Sequence, residues 1–226
     1  MEHPTHDPSA DGERGGAAPS APVGDPVMRD FLDIALTPSV VEHQRRHGPA
    51  LGDRRSPGGH ARAGGLDADE VEFLRERDSF YLASVAEDGW PYVQHRGGAP
   101  GFVAVIGPSR IAWAEQPGNR QYLTAGHLET DDRVAIIAVD YPTRRRLKLL
   151  GHARYVVEPT AEQVAAVAGE GAGDHIDGIV EVDVVATAWN CPRHITPRFT
   201  AEQVRTLIDL RDRRIAELEA QLAAIT

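Results

Sequence analysis

Four short stretches of this sequence carry residues whose types and spacing suit the holding of an anion or a planar ring. Tyr92-Val-Gln-His-Arg-Gly-Gly98 ends a strand-like run in an arginine and two glycines, so a guanidinium and bare backbone amides could approach an anion closely. An ordinary strand-to-loop exit would account for the glycines alone. Gly118-Asn-Arg-Gln-Tyr122 places Asn119 where it could cap a helix, with Arg120 as a bidentate donor beside the free N–H groups of a first turn. A capped surface helix is the plain alternative. Asp140 to Arg154, DYPTRRRLKLLGHAR, holds the densest positive charge in the chain. On a strand, Arg144, Arg146 and Lys148 would share one face and Arg145 the other, although some of these arginines could simply guard a strand edge. Trp189-Asn-Cys-Pro-Arg-His-Ile195 closes the set. Trp189 could cover a planar ring and Asn190 read its polar edge, against the alternative of a core tryptophan before a proline turn.

No side chain stands out as a nucleophile, acid or base. Cys191 has no partner base implied by spacing, and a lone cysteine is usually buried and inert. His43 and His47 lie one helical turn apart, but no further metal ligand accompanies them. Gly169, Gly171 and Gly173 do not join a strand to a helix, so the mechanism of a dinucleotide-binding loop is missing.

The elements that must position these stretches follow from periodicity. Residues 1–26 are rich in Pro, Gly, Ala and Asp and nearly devoid of apolar residues, which predicts a disordered tail. Residues 27–66 read as a helical extension and loop, with Thr37-Pro38 starting a helix that Gly48-Pro49 stops. The compact domain, 67–199, begins with the capping-box spacing of Asp67 and Glu70. Strands are expected over 80–86, 91–96, 102–106, 111–115, 134–139, 147–157 and 179–189. The continuously apolar run Val134 to Val139 suggests a buried strand. Helices are expected over 119–128 and 160–167. The connections are short and strands do not alternate regularly with helices, so a mainly antiparallel barrel with flanking helices fits better than a parallel sheet. Residues 200–226 form an amphipathic helix, with Val204, Ile208, Ile215, Leu218, Leu222 and Ile225 in 4-3 spacing and Arg211 interrupting the seam. That helix either packs on its own barrel or makes a short coiled-coil contact between subunits.

Bulk properties narrow the function classes. The chain has 226 residues with 24 Lys+Arg against 34 Asp+Glu, a formal net charge of -10, which argues against general nucleic-acid binding. No apolar run approaches the ~18 residues that span a bilayer, and the first residues lack the layout of a secretory signal. One cysteine cannot form an internal disulfide, so a reduced cytoplasmic setting is expected.

Taken together, FYLASVAEDGWPYVQHRGGAPGF, GNRQYLTAGHL, DYPTRRRLKLLGHAR and WNCPRHITPRF closely resemble the pyridoxamine 5′-phosphate oxidase-related, flavin mononucleotide (FMN)-binding split-barrel family, in its branch of oxidase-like flavoproteins. The resemblance implies a six-stranded antiparallel split barrel that forms a homodimer, with one FMN in each of two interface grooves, contacted by both chains. It implies that Arg96 and Gly97 sit at the exit of the first phosphate-side strand, and that Trp113, Ala114 and Glu115 present strand backbone to the flavin. Asn119, Arg120 and Gln121 match the family's Ser-Arg-Lys phosphate position. Arg146 matches a glutamine that contacts the flavin ring system, with Lys148 on the same face, and Trp189 and Asn190 fall near the end that closes over the ring. Besides Arg146 in place of that glutamine, three departures stand out. Gln121 replaces a lysine, His127 stands where this branch tends to have asparagine, and the C-terminal Arg-x-His segment that holds the pyridoxal ring in true pyridoxamine phosphate oxidases is not recognisable. The implied activity is therefore an FMN-dependent oxidoreductase acting on a small molecule or a nicotinamide donor rather than on vitamin B6. The alternatives are a non-catalytic flavin- or haem-binding protein and a deazaflavin-dependent reductase.

Overall fold

Short hairpins with apolar residues at every second position build one curled sheet. The computed structural model describes residues 27–51, 53, 62–168, 176–190 and 192–225. The tail expected over 1–26, the glycines at 169, 171 and 173, and Cys191 lie outside the described residues. β1 (Val27–Met28), α1 (Phe31–Ala35), α2 (Pro38–Arg45), β2 (Arg62–Ala63) and α3 (Ala68–Arg75) come first. They are followed by β3 (Ser79–Val85), β4 (Pro91–Gly97), β5 (Ala104–Gly107), β6 (Arg110–Glu115), α4 (Leu123–Leu128) and β7 (Arg133–Asp140). β8 (Arg145–Val156), α5 (Ala161–Val167), β9 (Gly178–Trp189) and α6 (Ala201–Ala223) complete the chain.

The main sheet runs β4-β3-β7-β8-β9-β6-β5, and every neighbouring pair is antiparallel. It has seven strands where the resemblance implied six, with the four-residue β5 forming one open edge. The sheet is not closed by hydrogen bonds. It curls until side chains from its two halves meet: Phe80 of β3 packs edge-on against Trp113 of β6 with ring centroids 5.0 Å apart. This is the split-barrel arrangement, mainly antiparallel with helices around it.

The concave side holds the core: Phe80, Leu82, Trp113, Ile136, Leu147, Leu149, Val180 and Val182 are all buried. β7 alternates between buried residues (Val134, Ile136, Ala138) and half-buried ones (Ala135, Ile137, Val139), so the expected buried strand is fully buried on one face only. Its apolar outer residues lie on the convex face of the sheet, where nothing among the described residues fully covers them. Gly151 sits at a register shift between Leu150 and Gly151, and a Cβ there would lie 2.6 Å from Val182 Cγ1 and 2.7 Å from the Asp183 carbonyl oxygen. Glycine is what allows β8 and β9 to approach at that bulge.

The capping box at Asp67 and Glu70 forms as expected and also anchors the extension. Glu70 is buried, and it accepts hydrogen bonds from Asp67 N, Arg62 Nη2 and the Thr187 hydroxyl, tying β2, α3 and β9 together. α5 and α6 also begin with capping boxes, Thr160 with Gln163 and Thr200 with Gln203, and none of the α6 residues is buried. Among the described residues no helix is long and apolar enough to cross a membrane.

Candidate functional site

Where the curled sheet brings β4 opposite β6, a cleft of about 260 Å³ opens. β4 contributes Tyr92, Gln94 and Arg96, which share a face because strand residues alternate. Glu115 ends β6 at the cleft, the link to α4 supplies Asn119, Arg120, Gln121 and Tyr122, and Tyr155 and Asp177 complete the far side.

Arg96 is the central cation. Its Nη2 donates to Thr124 Oγ1 at 3.2 Å, and Thr124 Oγ1 in turn donates to Gln94 Oε1 at 3.3 Å. Its Nε lies 3.2 Å from Glu115 Oε1, close enough for an ion pair, yet the N–H is not directed at that oxygen and this buried nitrogen has no hydrogen-bond partner. Glu115 accepts instead from Trp113 Nε1 at 2.7 Å. Burial pushes the Glu115 carboxyl above its ordinary range. Arg96 and the Trp113 hydrogen bond pull it partly back, and the charge of Asp177 adds to the rise. On the opposite wall Tyr122 donates its hydroxyl to Asp177 Oδ2 at 2.9 Å, and that bond is the main reason the phenol is held above its usual value. Burial raises the Tyr155 phenol as well.

The link between β6 and α4 differs from the sequence expectation. The helix starts at Leu123, not Asn119, and is six residues long. Arg120 (φ 61°) and Tyr122 (φ 48°) take left-handed backbone conformations, which a helix cannot accommodate. Asn119 Oδ1 accepts from Gln121 N at 3.2 Å and so braces a turn instead of capping a helix. Any anion held here is therefore held by side chains, not by a helix start at Asn119. Arg120 projects exposed at the cleft and has no hydrogen-bond or ion-pair partner among the described residues.

A phosphate-bearing cofactor fits these donors in part. Arg96 has an unsatisfied nitrogen and Arg120 an uncommitted guanidinium, as a phosphate requires. Glu115 opposes it, since its carboxyl crowds the same Arg96 nitrogen. Protonation, which its raised pKa favours, removes that opposition. The size of the cleft also matters. At about 260 Å³ it falls below the ~300–1,000 Å³ of complete small-ligand pockets, so it can take one end of a cofactor and not the whole.

The structure brings Arg96, Glu115, Asn119, Arg120 and Gln121 together in this cleft. Trp113 lies behind Glu115 in the core, Ala114 packs in a small neighbouring cluster, and Gly97 lies one residue past Arg96 beside the His95 ring. Arg146, Lys148, Trp189 and Asn190 lie elsewhere. Along β8, Lys148 and Tyr155 are seven residues apart, about 23 Å, so the two groups cannot grip opposite sides of one small ligand within one chain. Arg144 is not on the strand at all: it occupies the turn before β8 with φ 59°, which removes it from the face it was expected to share. Arg146 and Lys148 do share a face, and Arg145 points the other way, with its guanidinium 4.4 Å from the Trp189 ring and Nη2 donating to Asp69 Oδ2 at 2.6 Å. The Trp189 ring also packs edge-on against Phe73. Lys148 Nζ sits 4.5 Å from the Phe31 ring of α1. The Arg146 Nε and Asn190 Oδ1 atoms are buried without hydrogen-bond partners. His127 accepts or donates at Nδ1 to Ser84 Oγ, 2.9 Å away, and is not in the cleft lining.

Sequence reasoning missed Tyr92, Gln94, Tyr122, Thr124, Tyr155 and Asp177. Alternation from Arg96 already places Tyr92 and Gln94 on its face, a signal that was available. Tyr155 on β8 and Asp177 just before β9 arrive from far away in the chain, and nothing local marks them.

The family model described as pyridoxamine 5′-phosphate oxidase matches residues 66–207. No curated protein matches the chain. Among solved structures, HupZ of Group A Streptococcus is 13% identical over 59% of this chain and 100% of its own, with a TM-score of 0.46. The conserved hypothetical protein Rv2991 of Mycobacterium tuberculosis is 22% identical over 62% and 95%, with a TM-score of 0.41. HutZ, the haem storage protein of Vibrio cholerae, is 16% identical over 53% and 90%, with a TM-score of 0.36.

Proposed function

The chain belongs to the pyridoxamine 5′-phosphate oxidase family, and we propose that within it this protein is an FMN-dependent oxidoreductase acting on a small molecule, as a homodimer in the cytoplasm. The observation that carries this reading is Arg96: a cleft arginine whose Nε has no hydrogen bond and is crowded by a carboxylate of raised pKa. A phosphate oxygen accepting from that nitrogen, with Glu115 protonated or turned aside, would relieve both defects. Arg120 would hold a second phosphate oxygen, and Asn119, Gln121 and Gln94 offer neutral hydrogen bonds to the hydroxyl-bearing chain between phosphate and ring.

The ring would lie beyond the cleft, which is too small for it, and against a second chain. Two features support a dimer. Arg146 and Lys148 are about 23 Å or more along β8 from the cleft, so they could serve only the ligand of a partner. The convex face also leaves Val93 61% exposed beside half-buried Ala83, Ala135, Ile137 and Leu150, an apolar surface suited to self-association. FMN, when bound, supplies the acceptance of a hydride from the substrate or from a nicotinamide donor. The protein's part is to orient the cofactor by its phosphate, keep Arg96 dry between Thr124 and Glu115, and place cationic Arg146 and Lys148 near the ring of the second site. A positive group there favours an anionic reduced ring. The lone cysteine fits a reducing compartment.

Anaerobic addition of NADH or NADPH to the FMN-loaded protein tests the catalytic claim. Bleaching of the oxidised flavin band by either donor, followed by its return with oxygen or a small-molecule acceptor, is expected. A loaded protein that neither nicotinamide nor any small-molecule donor reduces would leave a carrier or sensor of the cofactor in place of an enzyme.

A further inference from the structure

The C-terminal helix is the largest part of the described structure with no assigned role. α6 runs for 23 residues, none of them buried. Its apolar residues form a seam of 4-3 spacing: Ile208, Ile215 and Leu222 fall at heptad positions a, and Val204, Leu218 and Ile225 at d, with Arg211 also at d. They remain 42% to 85% exposed, so the barrel of the same chain does not cover them. We propose that α6 pairs with α6 of a second copy of this chain as a parallel two-stranded coiled coil.

Three features select that occupant and that orientation. Isoleucine at a with leucine at d, as in Ile208, Ile215 and Leu218, favours two strands over three or four. The flanking charges are complementary in the parallel arrangement, where each g residue faces the e residue five positions later on the other helix. Arg214 then meets Glu219 of the second copy, twice by symmetry, and Leu207 faces Asp212 without repulsion. The antiparallel register that seats Ile208 opposite Leu218 pairs Arg205 with Glu219 but also sets Asp212 against Asp212 and Arg214 against Arg214. Arg211 carries its own counter-ion, donating from Nε and Nη2 to Asp212 Oδ1 at 2.9 and 2.6 Å, and its long stem lets the head leave the seam. Three heptads are short for a free coiled coil, so the pair gains from any further contact between the same two chains. The proposal does not rest on the flavin reading and stands if the cleft binds something else.

The test uses the full-length chain with Cys191→Ser and a single new cysteine. Leu218→Cys, at the seam, should form a disulfide-linked dimer on mild oxidation, because parallel strands set position 218 against itself. Ala216→Cys, on the outer face, should not. In sedimentation, the double variant Ile215→Glu/Leu218→Glu should weaken self-association about a hundredfold, from the loss of two buried apolar side chains per helix, while the thermal unfolding of the barrel stays unchanged. Equal cross-linking at 216 and 218, or cross-linking only between mixed Ile208→Cys and Leu218→Cys chains, would overturn the parallel pair. Wild-type association of the double glutamate variant would overturn the interface itself.

Discussion

Glu115→Gln should tighten FMN binding, and the size of the gain follows from the cleft. Glu115 Oε1 stands 3.2 Å from Arg96 Nε. A phosphate oxygen accepting from that same nitrogen must stand about 3 Å from it. The two oxygens are then no more than about 6 Å apart. At an effective dielectric of ~20, a pair of unit negative charges at that distance repel by about 3 kcal/mol. Water at the cleft mouth reduces this, so a gain of roughly 1.5–3 kcal/mol, about 10- to 100-fold in Kd, is expected where Glu115 is ionised. Glutamine keeps an oxygen to accept from Trp113 Nε1, so the fold is not disturbed. The pH dependence gives the sign. Burial raises the Glu115 pKa, and a bound phosphate would raise it further, so binding takes up a proton at this residue. In the wild type that contribution is fully present below the Glu115 pKa and is lost as pH rises through it. The glutamine variant lacks it and reports only the phosphate's own ionisation near pH ~6. Fluorescence-quench titration of apoprotein with FMN from pH 5 to 9 measures both. The two proteins should agree at the acid end and diverge as pH rises. Weaker binding by the variant, or curves that run parallel throughout, would show that no phosphate approaches Arg96 from the Glu115 side.

Arg120→Ala should weaken FMN binding by about 2 kcal/mol, roughly 30-fold, with little change in melting temperature, because the exposed guanidinium has no hydrogen-bond or ion-pair partner to lose among the described residues. Wild-type affinity in the same titration would remove Arg120 from the site. Gly151→Ala should destabilise the barrel by about 1–3 kcal/mol, since its Cβ would meet Val182 and the Asp183 carbonyl inside contact distance. Denaturant unfolding checks this, and an unchanged midpoint would mean the bulge relaxes freely. Glu70→Ala should cost about 2–3 kcal/mol, roughly 5–10 °C in Tm. It removes the acceptor of the half-buried Thr187 hydroxyl on β9 and of the Asp67 N–H that caps α3, while Arg62 can still turn to solvent.

Much of the barrel was legible because its strands obey a period of two. The phase of β8 is the clearest case: alternation alone separates Arg145 from Arg146 and Lys148, and the structure puts Arg145 on the core side between Trp189 and Asp69. The same rule failed at Arg144, where the chain had not yet entered the strand and turned through a left-handed residue. Left-handed conformations at Arg120 and Tyr122 likewise defeated the helix expected from Asn119, since neither residue type signals a positive φ. The cleft was half legible. Arg96, Arg120 and Glu115 were candidates from sequence, but the crowding of Glu115 on Arg96 joins strands from the two halves of the sheet, and only the curl of the sheet creates it. The apolar seam of α6 was visible as spacing. That the barrel leaves it uncovered is a property of packing, not of period.

The central claim is that Arg96 and Arg120 hold the phosphate of a flavin. It is tested most directly by the visible spectrum of the purified protein, with apoprotein reconstituted by FMN and, separately, by riboflavin. A yellow protein with flavin bands is expected, with one FMN per chain and riboflavin bound far more weakly because it lacks the phosphate. A protein that stays colourless with excess FMN, that binds riboflavin equally well, or that shows only a haem spectrum would contradict it.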